Sequence, residues 1–248
     1  MKVINSITNP YIIKLNKLKS KKYRDKVKLF LIEGYHLVSE ALQAKALKQV
    51  LIIDEKNKIQ GVENILVNRK IIEKLSQTQN PQNIIGVCDI KEMGEIKGSR
   101  FLLLDDVSDP GNLGTLIRTA LGFNIDQIIL SENSVDLYND KVIRATQGAL
   151  FKINIIYYSL PKAIQKLKNE NVYIIGSSLK NAKPLRKVKS IEKYAIILGN
   201  ESLGIKDEIL DLTDVNVKIE INEKLESLNV AIAGAILMYY FGEEIDRK

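Results

Sequence analysis

The chain has 248 residues, 45% hydrophobic and 27% charged. That is enough for a sizeable core. No apolar run approaches the roughly 20 residues of a membrane helix, and the opening MKVINSITNPYIIK has no apolar signal core, so a cytoplasmic protein without a membrane partner is expected. A single cysteine, Cys88, and a single histidine, His36, exclude an internal disulfide and a Cys/His zinc site, and leave no well-placed imidazole for a Ser-His-Asp or Cys-His relay; both residues read as structural. The net charge is +7, and it is unevenly placed: residues 1–97 carry 18 Lys+Arg against 10 Asp+Glu (18 − 10 = +8), residues 98–248 carry 19 against 20 (19 − 20 = −1). A basic N-terminal part of this kind points to a polyanion partner.

In chain order, Asn9-Pro10 opens a first helix over Tyr11 to Leu18, with Asn as cap and Pro at the first helical position. Lys14, Lys17, Lys19, Lys21, Lys22, Arg24, Lys26 and Lys28 then cluster around Tyr23. Cations along a helix and its trailing loop neutralise successive phosphates, which makes Lys14, Lys17, Lys21, Lys22 and Arg24 the RNA-binding candidates. A strand at Phe30 to Ile32, a helix from Tyr35 to Ala44, strands at Val50 to Ile53 and Ile65 to Val67, a helix from Lys70 to Leu75 and a strand at Ile84 to Cys88 describe a small α/β unit of about 90 residues. The polar segment 91–100, KEMGEIKGSR, reads as a linker, and the domain boundary is set near residue 96.

The second unit opens on the stretch LLLDDVSDPGNLGTLIRTA, from Leu102 to Ala120. Three apolar strand residues run into Asp105 and Asp106, a turn follows at Asp109-Pro110-Gly111-Asn112, and apolar residues then recur at helical spacing. Strands at Gln127 to Leu130, Ile153 to Tyr157, Val172 to Gly176, Ala195 to Leu198 and Val215 to Ile221 alternate with helices at Asp140 to Thr146 and Leu160 to Asn169. A basic loop spans Lys180 to Lys189, and the last helix, Ser227 to Phe241, is almost wholly apolar. Such alternation implies a mostly parallel sheet covered on both faces.

Glycine and Asn/Glu punctuation follows three strands: at Pro110 to Gly114, at Gly199 to Gly204, and at Asn222 to Asn229. Ligands of open α/β sheets bind outside the carboxyl ends of strands. If the three loops are neighbours, Asn112, Arg118, Glu201, Ser227 and Asn229 share one cleft. Asp105, Asp106 and Asp109 lack the spacing of a calcium loop, so no metal is expected. Neither GxGxxG after a strand nor GxxxxGK[ST] occurs, which removes the nicotinamide-dependent dehydrogenase reading. Ser227 reads as the cap of the last helix, with Asn229 in its first turn.

These three loops resemble, in order and spacing, the three motifs of the SpoU (TrmH-type) branch of the SPOUT superfamily of RNA ribose 2′-O-methyltransferases. The first is DDVSDPGNLGTLIRTA, the second AIILGNESLGI, the third ESLNVAIAGAILMYY. The N-terminal part, through NPYIIKLNKL, the basic stretch and FLIEGYHLVSEAL, is similar to the accessory RNA-binding domain of that family. The resemblance implies a basic substrate-binding domain at 1–96 and, at 97–248, an α/β/α methyltransferase domain with a parallel sheet and a deep trefoil knot. It implies S-adenosylmethionine as cofactor, contacted by Leu198, Gly199, Ile219, Leu228 and Asn229. It implies a catalytic cleft of Asn112, Arg118, Glu201, Ser227 and Asn229, and a homodimer formed through the C-terminal domain.

The expected reaction is attack of a ribose 2′-OH on a sulfonium methyl group, with Arg118 as base or as electrostatic clamp, and ribosomal RNA as the expected substrate. A transfer RNA substrate and a non-catalytic RNA-binding protein on the same scaffold are the alternatives. The sequence departs from the family pattern at Ser202-Leu203, which intervene before Gly204, and at Glu220 and Glu223, which stand where Pro and Gly are usual.

Overall fold

The structure, a computed structural model, describes residues 1–91, 94–189 and 191–242. Glu92 and Met93 of the expected linker, Ser190, and the end of the expected second domain beyond 242 lie outside the described residues. The chain divides into two compact units: Met1–Glu92 with Asp136–Phe151, and Met93–Val135 with Lys152–Lys248. The segment 136–151, expected in the second domain, therefore groups with the first.

In chain order the first unit holds β1 (Lys2–Ile4), α1 (Pro10–Asn16), α2 (Lys21–Val27), β2 (Leu29–Glu33), α3 (Tyr35–Gln43), β3 (Leu47–Ile52), β4 (Glu63–Val67), α4 (Arg69–Leu75) and β5 (Ile84–Asp89). Among the described residues these strands form one mixed sheet, ordered β1-β4-β3-β5-β2. Strands β1, β4 and β3 run parallel, while β5 is antiparallel to both β3 and β2. Asn9 caps α1 by accepting from the Tyr11 N–H, with Pro10 in the first turn. The apolar face of α1 buries Ile12 and Leu15 against Ile71 and Leu75 of α4. Two elements of this unit escaped the sequence reading. Strand β1 is too short to show a period, and α2 lay inside what read as a basic loop.

The inserted segment carries α6 (Asp140–Thr146). It is fixed on the first unit by ring contacts: Phe30 has ring centroids at 4.6 Å from Tyr138 and 6.3 Å from Phe151. The His36 ring nitrogen meets the Gln147 carbonyl at 3.1 Å, and Cys88 is fully buried in β5. Both sit within the framework of the unit, and burial pushes the Cys88 thiol above its ordinary range.

The second unit holds β6 (Arg100–Leu104), α5 (Pro110–Gly122), β7 (Gln127–Leu130), β8 (Asn154–Tyr157), α7 (Leu160–Asn169), β9 (Tyr173–Ser177), β10 (Lys183–Pro184), β11 (Tyr194–Leu198), α8 (Asp207–Leu210), β12 (Val215–Lys218) and α9 (Val230–Gly242). Among the described residues its strands form one seven-stranded sheet, ordered β10-β12-β9-β11-β6-β7-β8, with every pair parallel. The near-continuous apolar runs of β6, β7 and β11 follow from that position, since a strand covered on both faces has no solvent side to mark with polar residues.

On one face α7 buries Leu160, Ala163, Ile164 and Leu167, at helical spacing. Helix α9 packs on α5 and β11. Gly234 permits that approach, because a Cβ there would lie 2.6 Å from Leu116 Cδ2 and 2.7 Å from Leu198 Cδ1. No helix among the described residues is long and apolar enough to cross a membrane.

Candidate active site

The site is built where β6 ends. Four buried residues, Phe101 to Leu104, bring the chain to Asp105, itself 1% exposed. The Asp105 N–H donates to the Leu198 carbonyl at 2.8 Å, which fixes the end of β6 against the end of β11. Asp106 adopts a positive φ of 55°, a conformation that Asp and Asn tolerate better than most residues. Its side chain accepts from Ser131 Oγ at 2.7 Å. Asp109 caps α5 by accepting from the Asn112 N–H at 2.8 Å, and Pro110 occupies the first helical turn.

Glu201 straps the second loop onto the first. One carboxylate oxygen accepts from the Ser108 N–H at 3.2 Å and the Ser108 hydroxyl at 2.9 Å; the other accepts from the Asp109 N–H and from Asn112 Nδ2, both at 3.0 Å. Burial alone would raise the pKa of this carboxyl. The hydrogen bonds from Asn112 and from backbone amides outweigh burial and hold it at about 2. The chain of contacts continues into the third loop: Asn229 Nδ2 donates to Asn112 Oδ1 at 2.9 Å. Asn229 Oδ1 accepts from the backbone of Ala231 at 2.9 Å and Ile232 at 3.3 Å. Asn229, not Ser227, is therefore the residue that caps the last helix, which begins at Val230. With its carbonyl oxygen occupied by the cap, the Asn229 amide can offer Asn112 only its N–H₂. The amide of Asn112 is oriented in turn, oxygen toward Asn229 and nitrogen toward Glu201.

Sequence reasoning missed three members of this arrangement. Asn200 accepts from Ser202 N at 3.0 Å and Leu203 N at 3.1 Å, and donates to the Asp106 carbonyl at 2.9 Å. Ser108 completes the shell of Glu201. Lys206 lies 3.2 Å from an Asp105 oxygen and 2.7 Å from an Asp106 oxygen, so the acidic pair holds an ammonium. The hydrogen bond to Asp106 raises the Lys206 pKa. The doublet Asp105-Asp106 was the available signal, but its cation lies 100 residues further along the chain.

One cleft of about 590 Å³ opens between the second and third loops, and Leu198, Gly199, Ile219, Leu228 and Asn229 all line it. Glu201 and Ser227 line it as well. Gly199 is required by the path of the chain: a Cβ on it would fall on the carbonyl carbon of Gly204 and the nitrogen of Ile205. The Asn200–Gly204 turn is closed there by two backbone hydrogen bonds of 3.0 and 2.9 Å. Asn112 and Arg118 are not part of the lining. Asn112 is tied to its rim through Glu201 and Asn229. Arg118 is exposed on α5 and, among the described residues, has neither an ion pair nor a hydrogen-bond acceptor. Glu220 and Glu223 also stand outside the lining, and Glu220 faces Arg186 at 3.8 Å. Among the described residues no group of three or more His, Cys, Asp or Glu is placed to hold a metal ion.

In the first unit Lys14, Lys17, Lys21 and Lys22 are exposed. Lys17 reaches over the Tyr23 ring, 5.9 Å from its centroid. Arg24 corrects the sequence reading. It is 6% exposed, donates to the Leu18 carbonyl at 2.6 Å and pairs with Asp136. Its guanidinium is turned inward, onto the inserted segment, and is not available to a phosphate.

Residues 99–239 match the family model described as the SpoU rRNA Methylase family, and residues 9–86 match the MRM3-like substrate binding domain. The chain is 36% identical to the 23S rRNA (guanosine(2553)-2′-O)-methyltransferase RlmP of Bacillus subtilis, over 97% of this chain and 99% of that one. An AdoMet-bound rRNA methyltransferase from Sinorhizobium meliloti superposes with a TM-score of 0.87 at 28% identity, covering 97% of each chain. The AviRb SpoU methyltransferase of Streptomyces viridochromogenes, at 19% identity and a TM-score of 0.85 over 94% of this chain and 97% of that one, shares the fold. On the length of the family match and of the Bacillus relative, the chain belongs to the SpoU rRNA methylase family.

Proposed function

We propose that this RNA 2′-O-methyltransferase acts on ribosomal RNA, using S-adenosylmethionine, as a cytoplasmic homodimer with a knotted C-terminal unit. The observation that carries the reading is the hydrogen-bond chain Glu201–Asn112–Asn229, which locks the three motif loops together beside a single cleft. A relative that acts on 23S rRNA, aligned from end to end at 36% identity, favours ribosomal over transfer RNA.

The cleft suits the cofactor. It combines apolar walls at Leu198, Ile219 and Leu228 with the side-chain-free backbone of Gly199, as a purine nucleoside bearing a methionine chain requires. When bound, S-adenosylmethionine supplies a methyl group activated on a cationic sulfur. The chain supplies position and charge. Glu201 already accepts four hydrogen bonds and stays ionised to about pH 2, so it is a strap and not the base. Ser227, exposed on the cleft wall, offers a hydroxyl to the ribose. Arg118 keeps its donors free, and an arginine side chain stays protonated under ordinary conditions. It serves as the clamp for the alkoxide that develops at the 2′-oxygen as the hydroxyl proton passes to solvent water.

The exposed lysines of α1, of α2 and of the turn between them hold the RNA electrostatically. The dimer reading draws on α9, which is apolar all round and leaves Ile232 and Tyr239 each 52% exposed. A helix of that composition is ordinarily covered on every side. The knot reading draws on membership of the SpoU family. The test is labelled methyl transfer to total RNA from cells lacking the protein, followed by nucleoside mapping. Label in a 2′-O-methylated nucleoside of ribosomal RNA is expected. Label confined to transfer RNA, or to a base, would overturn the reading.

A further inference from the structure

The second unit is close to neutral overall, yet five cations, Lys180, Lys183, Arg186, Lys187 and Lys189, occupy residues 178–189 with no acidic residue among them. All five are exposed. The segment is nonetheless firmly seated. Leu185 and Val188 are buried, at 5% and 9% exposure. The Tyr240 hydroxyl donates to the Val188 carbonyl at 2.9 Å, and β10 pairs in parallel with β12, Lys183 opposite Val217 and Pro184 opposite Lys218. The chain thus points its apolar residues inward at 185 and 188 and its cations outward, along the edge of the sheet.

That edge begins at the cofactor cleft, because Ser177 to Lys180 and Lys218 form part of its wall. Lys180 pairs with Asp207 at 2.5 Å, and Arg186 faces Glu220 at 3.8 Å, so each has some of its charge answered. Among the described residues Lys183, Lys187 and Lys189 have no carboxylate within ion-pair distance. A row of unanswered cations on a sheet edge that runs on from the wall of the cleft fits a polymer that carries a phosphate on either side of each ribose.

We propose that the β10 edge, residues 183–189, is a second RNA-contacting surface, belonging to the methyltransferase unit itself. It holds the backbone of the substrate strand where that strand leaves the cleft, separately from the lysines of the first unit. The proposal rests on the RNA-methyltransferase reading above.

The experiment uses the full chain with K183Q, K187Q and K189Q combined. Lys180 and Lys218 are left intact because they line the cleft. Binding to protein-free, unmodified 23S rRNA is measured across a salt series, alongside methyl transfer to it and calorimetric affinity for S-adenosylmethionine. Three lost phosphate contacts at a slope of ~0.7 each make the plot of log affinity against log salt shallower by about 2. If the two proteins converge near 1 M salt, that is a loss of up to about a hundredfold in affinity at 0.1 M. KM for RNA should rise, with cofactor affinity unchanged.

Three results would overturn the proposal: an unchanged salt slope and KM; a loss of affinity equal at all salt concentrations, which would mark a contact with something other than phosphate; or a parallel loss of cofactor affinity, which would make the segment a wall of the cleft. A wild-type protein that neither binds S-adenosylmethionine nor methylates the RNA would instead defeat the underlying reading of the active site.

Discussion

On the function proposed above, the two units carry it in opposite ways. In the first, the apolar core is closed and the chemistry is spread over a lysine-rich surface, where any one cation is replaceable by its neighbours. In the second, charge is nearly balanced, and function is concentrated in three loops where single atoms are committed: four donors on one carboxylate, one amide oriented by another, one glycine without room for a methyl group. The difference teaches what a substitution should do in each. In the second unit one residue should remove activity or cofactor binding outright. In the first, several must be changed together, and the loss should follow salt.

The largest effect is expected at Arg118. It has no structural partner among the described residues, so Arg118→Ala should leave the fold and the cofactor affinity intact while lowering kcat by a factor of about 10² to 10³ or more, the range seen when a donor to a developing oxyanion is removed. Single-turnover methyl transfer beside calorimetry separates the two readouts, and an active variant would remove the clamp assignment. Gly199→Ala should break the comparison from the other side. Its methyl group meets backbone, which cannot swing away as a flexible side chain can. The turn at Asn200–Gly204 must open, with a cost of about 1–3 kcal/mol as in overpacked sites. Loss of S-adenosylmethionine binding, with a lowered Tm, is the expected outcome.

Within the first unit the same division separates Arg24 from the lysines beside it. Arg24→Gln removes one partner of a largely buried ion pair and leaves Asp136, 15% exposed at its side chain, unanswered. A loss of about 3 kcal/mol in chemical denaturation is expected, because an orphaned buried charge costs more than the pair contributed. Changing Lys14, Lys17, Lys21 and Lys22 together to Gln should barely move stability. It should flatten the salt dependence of RNA binding by about 3, at ~0.7 per phosphate contact. If the lysine variant unfolds and the Arg24 variant loses only RNA, the two roles are assigned the wrong way round. Removing residues 1–92 alone is a poor substitute for either test. It strips the cover from Leu137, Val142, Ile143 and Phe151, which are buried in the same unit.

Most of the second unit was legible in the sequence, since buried parallel strands announce themselves as short apolar runs and α7 carries a clean helical period. The bounds of β7 and α7 are the expected ones, as are those of α6 in the inserted segment. What escaped was decided by contacts distant in sequence. Asn229 and Ser227 are equally good caps on paper; the hydrogen bond to Asn112, 117 residues away, accompanies the choice of Asn229. Arg24 looked like its lysine neighbours because nothing local marks a cation for burial; its partner Asp136 lies 112 residues on. The two-residue strand β10 has no period at all, and exists through its pairing with β12. Local physics supplied two glycine-bearing loops and one loop rich in Asn and Glu, each after a strand, and a shared cleft only on condition that they are neighbours; resemblance to a family brought them together.

The smallest expected effect concerns the acid limb of stability, and it probes the strap directly. The Glu201 carboxyl titrates near 2 in the folded protein, against an ordinary value of 4.5. A folded-state pKa below the unfolded one means that ionisation favours the fold above the unfolded value, and that this contribution is lost as pH falls toward the folded value. Glu201→Gln lacks the charge at every pH. The wild-type protein should therefore exceed the variant in Tm by a constant margin above about pH 5, and the margin should shrink between about pH 4.5 and pH 2. The carboxylate is partly exposed, so the margin should be modest, and salt should narrow it. Methyl transfer by the wild-type protein, by contrast, should show no ionisation attributable to Glu201 anywhere near neutrality. A Tm difference that holds constant down to pH 2 would mean that the four hydrogen bonds do not favour the charged form, and the strap would then be a matter of shape alone.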